Sequence, residues 1–396
     1  MAEAKSTLAD NFSITRGGPA HWLSVRLSGA GTERQRVVRR ALLAVLLTWF
    51  PLLALSLVQG QAYGSQITIP FLADIAVNVR FLIAVPILIL AESGIHRRWR
   101  LLILQFLRSG LVGENELPSF EAVLENTTRL RDRVLPEALL AVAAFFPAFF
   151  VKTELLMSDV SNWHATAMVP GALSLAGWWF IFISAPTFRF LLLRWLWRLF
   201  LVTSLLWRVS RINLRLVATH TDLAAGLGFL SDGQKAFGPI VFAGGAVIAA
   251  QVGNAIAYQG ATLSSMKIPM LAYGVLAILI LVAPLLVVAP VLVKTKRKAL
   301  FEYGALVTIH NQLFDRKWIQ KDHPEDAVIL GHPDPSSLID LGSSFAVIRQ
   351  MGIVPIDKPT LVTLALAAAL PMVPVVLLAT PADQLVRVVL KMLGMG

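Results

Sequence analysis

Apolar stretches of helix-spanning length recur along this chain, and no other feature restricts its fold as much. A helix of about 20 apolar residues rises about 30 Å and crosses a hydrocarbon core with its backbone groups paired within itself. Such stretches lie near residues 41–59, 71–91, 135–151, 172–192, 237–257, 270–293 and 360–380. Hydrophobic residues make up 56% of the 396-residue chain and charged residues only 15%, which argues against a pair of soluble domains. Short segments alternating apolar and polar, as a membrane β-barrel needs, are absent. The expected fold is an all-α membrane protein, a bundle of seven transmembrane helices with amphipathic helices beside them.

The net charge of +11 is distributed unevenly. Lys and Arg number seven in residues 1–40, seven in 92–134, seven in 189–236 and nine in 294–359. The alternate loops hold only Lys152, Lys267, Arg387 and Lys391. By the positive-inside rule the N-terminus lies in the cytoplasm and the C-terminal tail outside. The basic charge therefore orients a membrane protein, and no nucleic-acid-binding motif accompanies it. Some forty polar and basic residues precede the first apolar run, so no cleavable signal is expected.

The implied organisation is an N-terminal cytoplasmic arm over 1–40, a six-span region over 41–293, a cytoplasmic two-helix module over 294–359, and a last span with an outer tail over 360–396. Within the six-span region, 172–207 is an unbroken apolar and aromatic run of 36 residues. As one helix it would be about 54 Å long, more than a single crossing needs. Pro186 offers a break. The run is expected to be one span followed by a basic, Trp-rich interfacial helix near 189–215, in which Arg194, Trp195, Arg198, Arg208, Arg211 and Arg215 either simply anchor at the lipid headgroups or recognise anionic lipid. In the two-helix module, Leu300, Tyr303, Val307, His310, Phe314 and Trp318 recur at helical spacing, and Asp334 followed by Pro335 reads as the start of a second helix.

Ionisable groups inside a membrane are costly and mark candidate sites. Asp74, Asn78 and Glu92 share one face of the second span, with Asp74 near its outer mouth and Glu92 near its inner edge. Arg80 lies near the midplane and points away from that face, which makes Asp74 a poor partner for it. Arg80 either bonds backbone carbonyls near Pro86, snorkels to an interface, or binds an anion with its forked donors. In the fifth span Gly245, Ala249, Gly253 and Ala257 form a small-residue row that admits a close neighbour. Gln251, Asn254 and Tyr258 form a polar stripe beside it, lining a path with Asp74 and Asn78 or joining helices.

Other chemistries lack their residues. There is no cysteine, which excludes disulfides, thiolate metal sites and iron–sulfur clusters. All seven histidines fall outside the expected spans, which disfavours a transmembrane haem. No HExxH motif, P-loop or internal repeat stands out, and neither a cofactor nor a metal is expected. Residues 213–230, NLRLVATHTDLAAGLGFL, and 337–349, SLIDLGSSFAVIR, resemble a group of uncharacterised bacterial polytopic proteins. That resemblance implies a bacterial inner membrane and transfers no activity. The expected function is a transporter or channel for a small solute, anionic if Arg80 is its ligand. The alternative is a non-catalytic signalling or assembly partner, acting through the basic surface on lipids, on a second copy or on another membrane protein.

Overall fold

The computed structural model describes residues 12–65, 67–147, 161–166, 172–320, 329 and 332–380. The described residues are helical apart from loops and two isolated β-bridges. In chain order the helices are α1 (Pro19–Ser28), α2 (Glu33–Val58), α3 (Ile75–Arg108), α4 (Leu117–Arg131), α5 (Val134–Phe145) and α6 (Leu175–Val209). There follow α7 (Leu230–Tyr258), α8 (Leu263–Leu286), α9 (Ala289–Phe314), α10 (Pro333–Gln350) and α11 (Lys358–Ala379). Six of them (α2, α3, α6, α7, α8 and α11) are long and apolar enough to cross a membrane.

Six candidate spans are thus seen among the described residues, and the seventh expected stretch is not confirmed as one. The remaining stretch, 135–151, is seen only as the twelve residues of α5, and 148–151 lie outside the described residues. α5 nonetheless runs antiparallel to α6: Glu137 meets Arg194, and further on the Ala144 carbonyl accepts from Arg189 Nη1 at 3.2 Å. By Ser161 the chain is back at the opposite end, where its carbonyl accepts the Ile69 N–H.

Helices α3, α6 and α7 form the centre, with 44%, 44% and 50% of their apolar windows buried, against 22%, 17% and 22% for α2, α8 and α11. α3 and α6 lie side by side and parallel, as the contacts Phe81–Phe180, Trp195 Nε1 to the Leu88 carbonyl, and Arg198–Glu92 show. Both lose step at corresponding places. Arg80–Ala84 in α3 and Phe180–Ser184 in α6 are π turns, followed at once by Pro86 and Pro186. A proline ring would strike the carbonyl four residues before it, and a wider preceding turn relieves that clash without ending the helix. Pro186 thus does not break the 172–207 run, and α6 continues through it to Val209. The two helices also start alike, with Asp74 capping the Val77 N–H and Ser174 capping the Gly177 N–H. This local duplication, 100 positions apart, was hidden because the side chains differ at ten of the thirteen matched positions from 74 to 86.

The small-residue row of α7 does admit a neighbour. A Cβ at Gly245 would stand 2.9 Å from the Ala368 carbonyl of α11, and one at Gly253 would touch Val375 and Ile75. Beyond the bundle, α9 and α10 pair as a hairpin. His332, two residues earlier than expected, caps α10, while Asp334 in its first turn accepts from Trp318 Nε1 at 2.9 Å and Lys317 Nζ at 2.7 Å.

Candidate functional site

Charge is concentrated where the early turns of α2 and α5 meet the middle of α3 and α6 beside the N-terminal segment. Glu92, on α3, is only 6% exposed. Its carboxylate meets Arg198 Nη2 at 2.6 Å and Arg194 Nη1 at 3.6 Å, both on α6, and Arg40 Nη1 of α2 at 3.1 Å. Arg194 and Arg198 are four apart, so one face of α6 delivers both. Arg194 Nε also stands 3.3 Å from Glu137 of α5. Glu137 in turn accepts the Ala20 N–H at 2.7 Å, which fixes the first turn of α1 over the cluster. Gly18, at φ 82°, makes the turn into α1, and a Cβ there would lie 2.8 Å from Glu137 Oε1.

The segment before α1 closes the cluster from below. Phe12, Ile14 and Thr15 are buried. Thr15 Oγ1 donates to the Glu92 carbonyl at 3.1 Å, and its own carbonyl accepts from Arg198 Nη2 at 3.1 Å. Arg198 also stacks 4.4 Å from the centre of the Trp195 ring. Two ionised carboxylates and three guanidinium groups out of water are tolerable only because they meet in this geometry.

Two cavities flank the Arg40–Glu92 pair. One, about 140 Å³, is lined mainly by Arg16, His21, Glu33, Arg36, Arg40 and Glu92. Arg16 is paired with Glu33, whereas Arg36 has no carboxylate within ion-pair reach among the described residues, and the buried Arg40 Nε lacks an acceptor. Burial pushes the His21 imidazole down to about 4, with Glu92 opposing and Arg40, Arg194 and Arg198 adding, so it is neutral at pH 7. The cavity far exceeds the roughly 10–15 Å³ that admits one water. The second cavity, about 200 Å³, is largely apolar, with Leu43, Ala44, Leu47, Ile89 and Leu191 beside Arg40 and Glu92. Five guanidinium groups (Arg16, Arg36, Arg40, Arg194 and Arg198) stand against three carboxylates (Glu33, Glu92 and Glu137). Such a donor set suits an anion and repels a metal ion. No metal-ligating group of His, Asp and Glu occurs among the described residues.

The residues singled out from sequence lie at the other end. Asp74 accepts from Val77 N, Asn254 Nδ2 and Trp163 Nε1 at 3.0, 2.8 and 3.0 Å. Asn254 Oδ1 accepts the Ile75 N–H, and the Tyr258 hydroxyl donates to the Ala73 carbonyl. Asn78 accepts from Trp49 Nε1 at 2.8 Å and donates to the Asp74 carbonyl. These groups bond one another and tie α3 to α2 and α7; Gln251 points elsewhere and is exposed. Arg80 sits in the π turn of α3 with its guanidinium 5.5 Å from the Phe188 ring centre and, among the described residues, no carboxylate within 4 Å and no acceptor for its buried Nε.

The basic run after Pro186 divides in two. Arg194, Trp195 and Arg198 are buried at 7%, 4% and 3% exposure, inside the bundle and not on an interfacial helix. Arg208, Arg211 and Arg215 lie further along at the surface, Arg211 over the Trp207 ring at 4.2 Å. Sequence reasoning noted Glu92 but missed Arg40, Glu137 and its own arginines as partners. The available signal was an i, i+4 arginine pair within an apolar helix.

No family model matches this chain, and neither does any curated protein or solved structure. The site must be read from its chemistry.

Proposed function

We propose that this chain is a membrane protein that binds and moves an anionic molecule, with the arginine–glutamate cluster as its binding site. The observation that carries the reading is the surplus of guanidinium groups around a cavity, where Arg36 has no carboxylate partner among the described residues and the buried Arg40 Nε has no acceptor. A half-buried guanidinium without a carboxylate partner has donors to spare, and an anion entering the cavity supplies their acceptor. Movement is supported by further cations along the interior: Arg189 on α6 at the Ala144 carbonyl, then Arg80 on α3 at Phe188. Asp74, Asn78, Asn254 and Tyr258 act in this reading as the clamp that holds the far end, with Gln251 outside it. The bacterial inner membrane, with the arginine-rich end cytoplasmic, is the proposed location. Arg208, Arg211 and Arg215 are its proposed contacts with anionic headgroups.

The test is thermal unfolding of the purified protein with and without inorganic phosphate, followed by phosphate flux into liposomes. Wild type should gain stability with phosphate, and Arg36→Gln should lose that gain with little effect on the unliganded midpoint. No response of the wild type to phosphate or to any other anion would rule the site out.

A second reading, as an assembly partner, rests on the α9–α10 hairpin. Phe301, Ile309, Leu313 and Ile339 are more than half exposed there. Removing that row should then abolish self-association in detergent without altering the phosphate response.

A further inference from the structure

The two cavities that flank the Arg40–Glu92 pair differ in character. The first is ringed by charge, and the second is walled by Leu43, Ala44, Leu47, Ile89 and Leu191. One face of α2 serves both: Arg36 and Arg40 line the polar cavity, and Ala44 and Leu47, four and seven residues beyond Arg40, line the apolar one. From Arg36 to Leu47 that face spans about 16 Å. Leu43 and Leu47 are 44% and 48% exposed, so the apolar cavity opens on the outer side of the bundle, where acyl chains would lie. The order along the helix, cationic at its start and apolar deeper in, matches the order of head and tail in a lipid leaflet.

Resting on the anion-binding reading above, we propose that the anion is the headgroup of a phosphate-bearing membrane lipid, with one acyl chain in the apolar cavity. The phosphate accepts from the Arg36 guanidinium and the Arg40 Nε, and neutral His21 adds a hydrogen-bonding nitrogen, its Nδ1 being buried without a partner. The headgroup carries its negative charge to the cations that Glu33, Glu92 and Glu137 leave uncompensated. A zwitterionic headgroup would bring an ammonium group into the same arginine-lined space and be disfavoured. A free phosphate fills the polar cavity and leaves the apolar one unused.

The experiment uses full-length protein in neutral detergent, with three probes: phosphatidylglycerol, phosphatidylcholine of the same chains, and inorganic phosphate. Lipid retention is measured by native mass spectrometry and the thermal midpoint is measured in parallel. Phosphatidylglycerol should be retained about tenfold more strongly than phosphatidylcholine, the discrimination that one charge-assisted contact provides. Ala44→Trp, and independently Leu47→Trp at a half-exposed position, should lower that retention by about tenfold as they fill the apolar cavity. Both should leave the midpoint shift caused by inorganic phosphate unchanged. Equal retention of the two lipids would overturn the proposal. So would phosphatidylglycerol retention indifferent to both substitutions, since the site would then hold the head alone. If the wild type fails to respond to inorganic phosphate as well as to lipid, the anion-binding reading itself falls.

Discussion

Glu92 has three guanidinium groups within ion-pair distance, and this sets the sign of substitutions around it. Glu92→Gln leaves those cations facing a neutral amide, and should cost about 3–5 kcal/mol of unfolding free energy in detergent titrations. Adding Arg198→Met to it should restore part of that loss. Glu125→Gln, which removes the exposed partner of Arg129, should change nothing measurable. Arg80 is the opposite case, a cation with no carboxylate within 4 Å among the described residues. Arg80→Leu should hold or raise the thermal midpoint while reducing anion flux; a fall in the midpoint would mean that Arg80 holds helices together. Leu223 adopts φ 56° in the loop between α6 and α7 and is partly exposed. Leu223→Gly should therefore stabilise the protein by about 1 kcal/mol, read from the same titrations.

At the scale of elements, α1 is a short helix held by what lies beneath it. Its first turn depends on Glu137, and its His21 is neutral because burial depresses its pKa to about 4. An unfolded histidine titrates near 6.5. Between those values the undocked state binds the extra proton, so docking is strongest above about pH 6.5 and weakens as the pH falls toward 4. Hydrogen-exchange protection factors over Pro19–Ser28, corrected for the intrinsic pH dependence of exchange, should fall between about pH 7 and about pH 5, and His21→Gln should flatten that dependence. The loop before α7 has the reverse sign. Burial raises the Asp222 pKa, but the N–H groups of Ala224, Gly228 and Gly226 outweigh it and hold the carboxyl below the usual range. Its contribution is complete above about pH 4 and lost in stronger acid.

For the whole molecule, the parallel run of α3 and α6 constrains how the chain crosses the bundle. The chain leaves the arginine-rich end along α5 and is at the far end again by Ser161. α6 then returns it, α7 and α8 go out and back, and α11 goes out once more. α11, packed alongside α7, therefore leads away from the end that carries the α9–α10 hairpin. A periplasm-dependent reporter fused after Gly396 should be active and one at Asp322 inactive. Activity at Asp322 would reverse the arrangement.

Hydropathy is additive along the chain, and for that reason the all-helical class, the approximate places of the apolar helices and the presence of helices α9 and α10 were legible without coordinates. The start of α2 was not. Its first turns carry Glu33, Arg34, Arg36, Arg39 and Arg40, which an apolar-run criterion discards, although Thr32 and Gln35 form a capping box there. The candidate site was equally hidden, because Glu92 gains its meaning from Arg40, 52 residues before it, and from Arg198, 106 residues after it. Local sequence fixes that a basic residue in an apolar helix is costly, but not which partner offsets the cost. Arg194 and Arg198 read as interfacial for that reason, and only the packing of α3 against α6 turned them inward. The sequence by itself determined which segments avoid water; the tertiary structure decided where their charges meet, since pairing energy depends on distance in space.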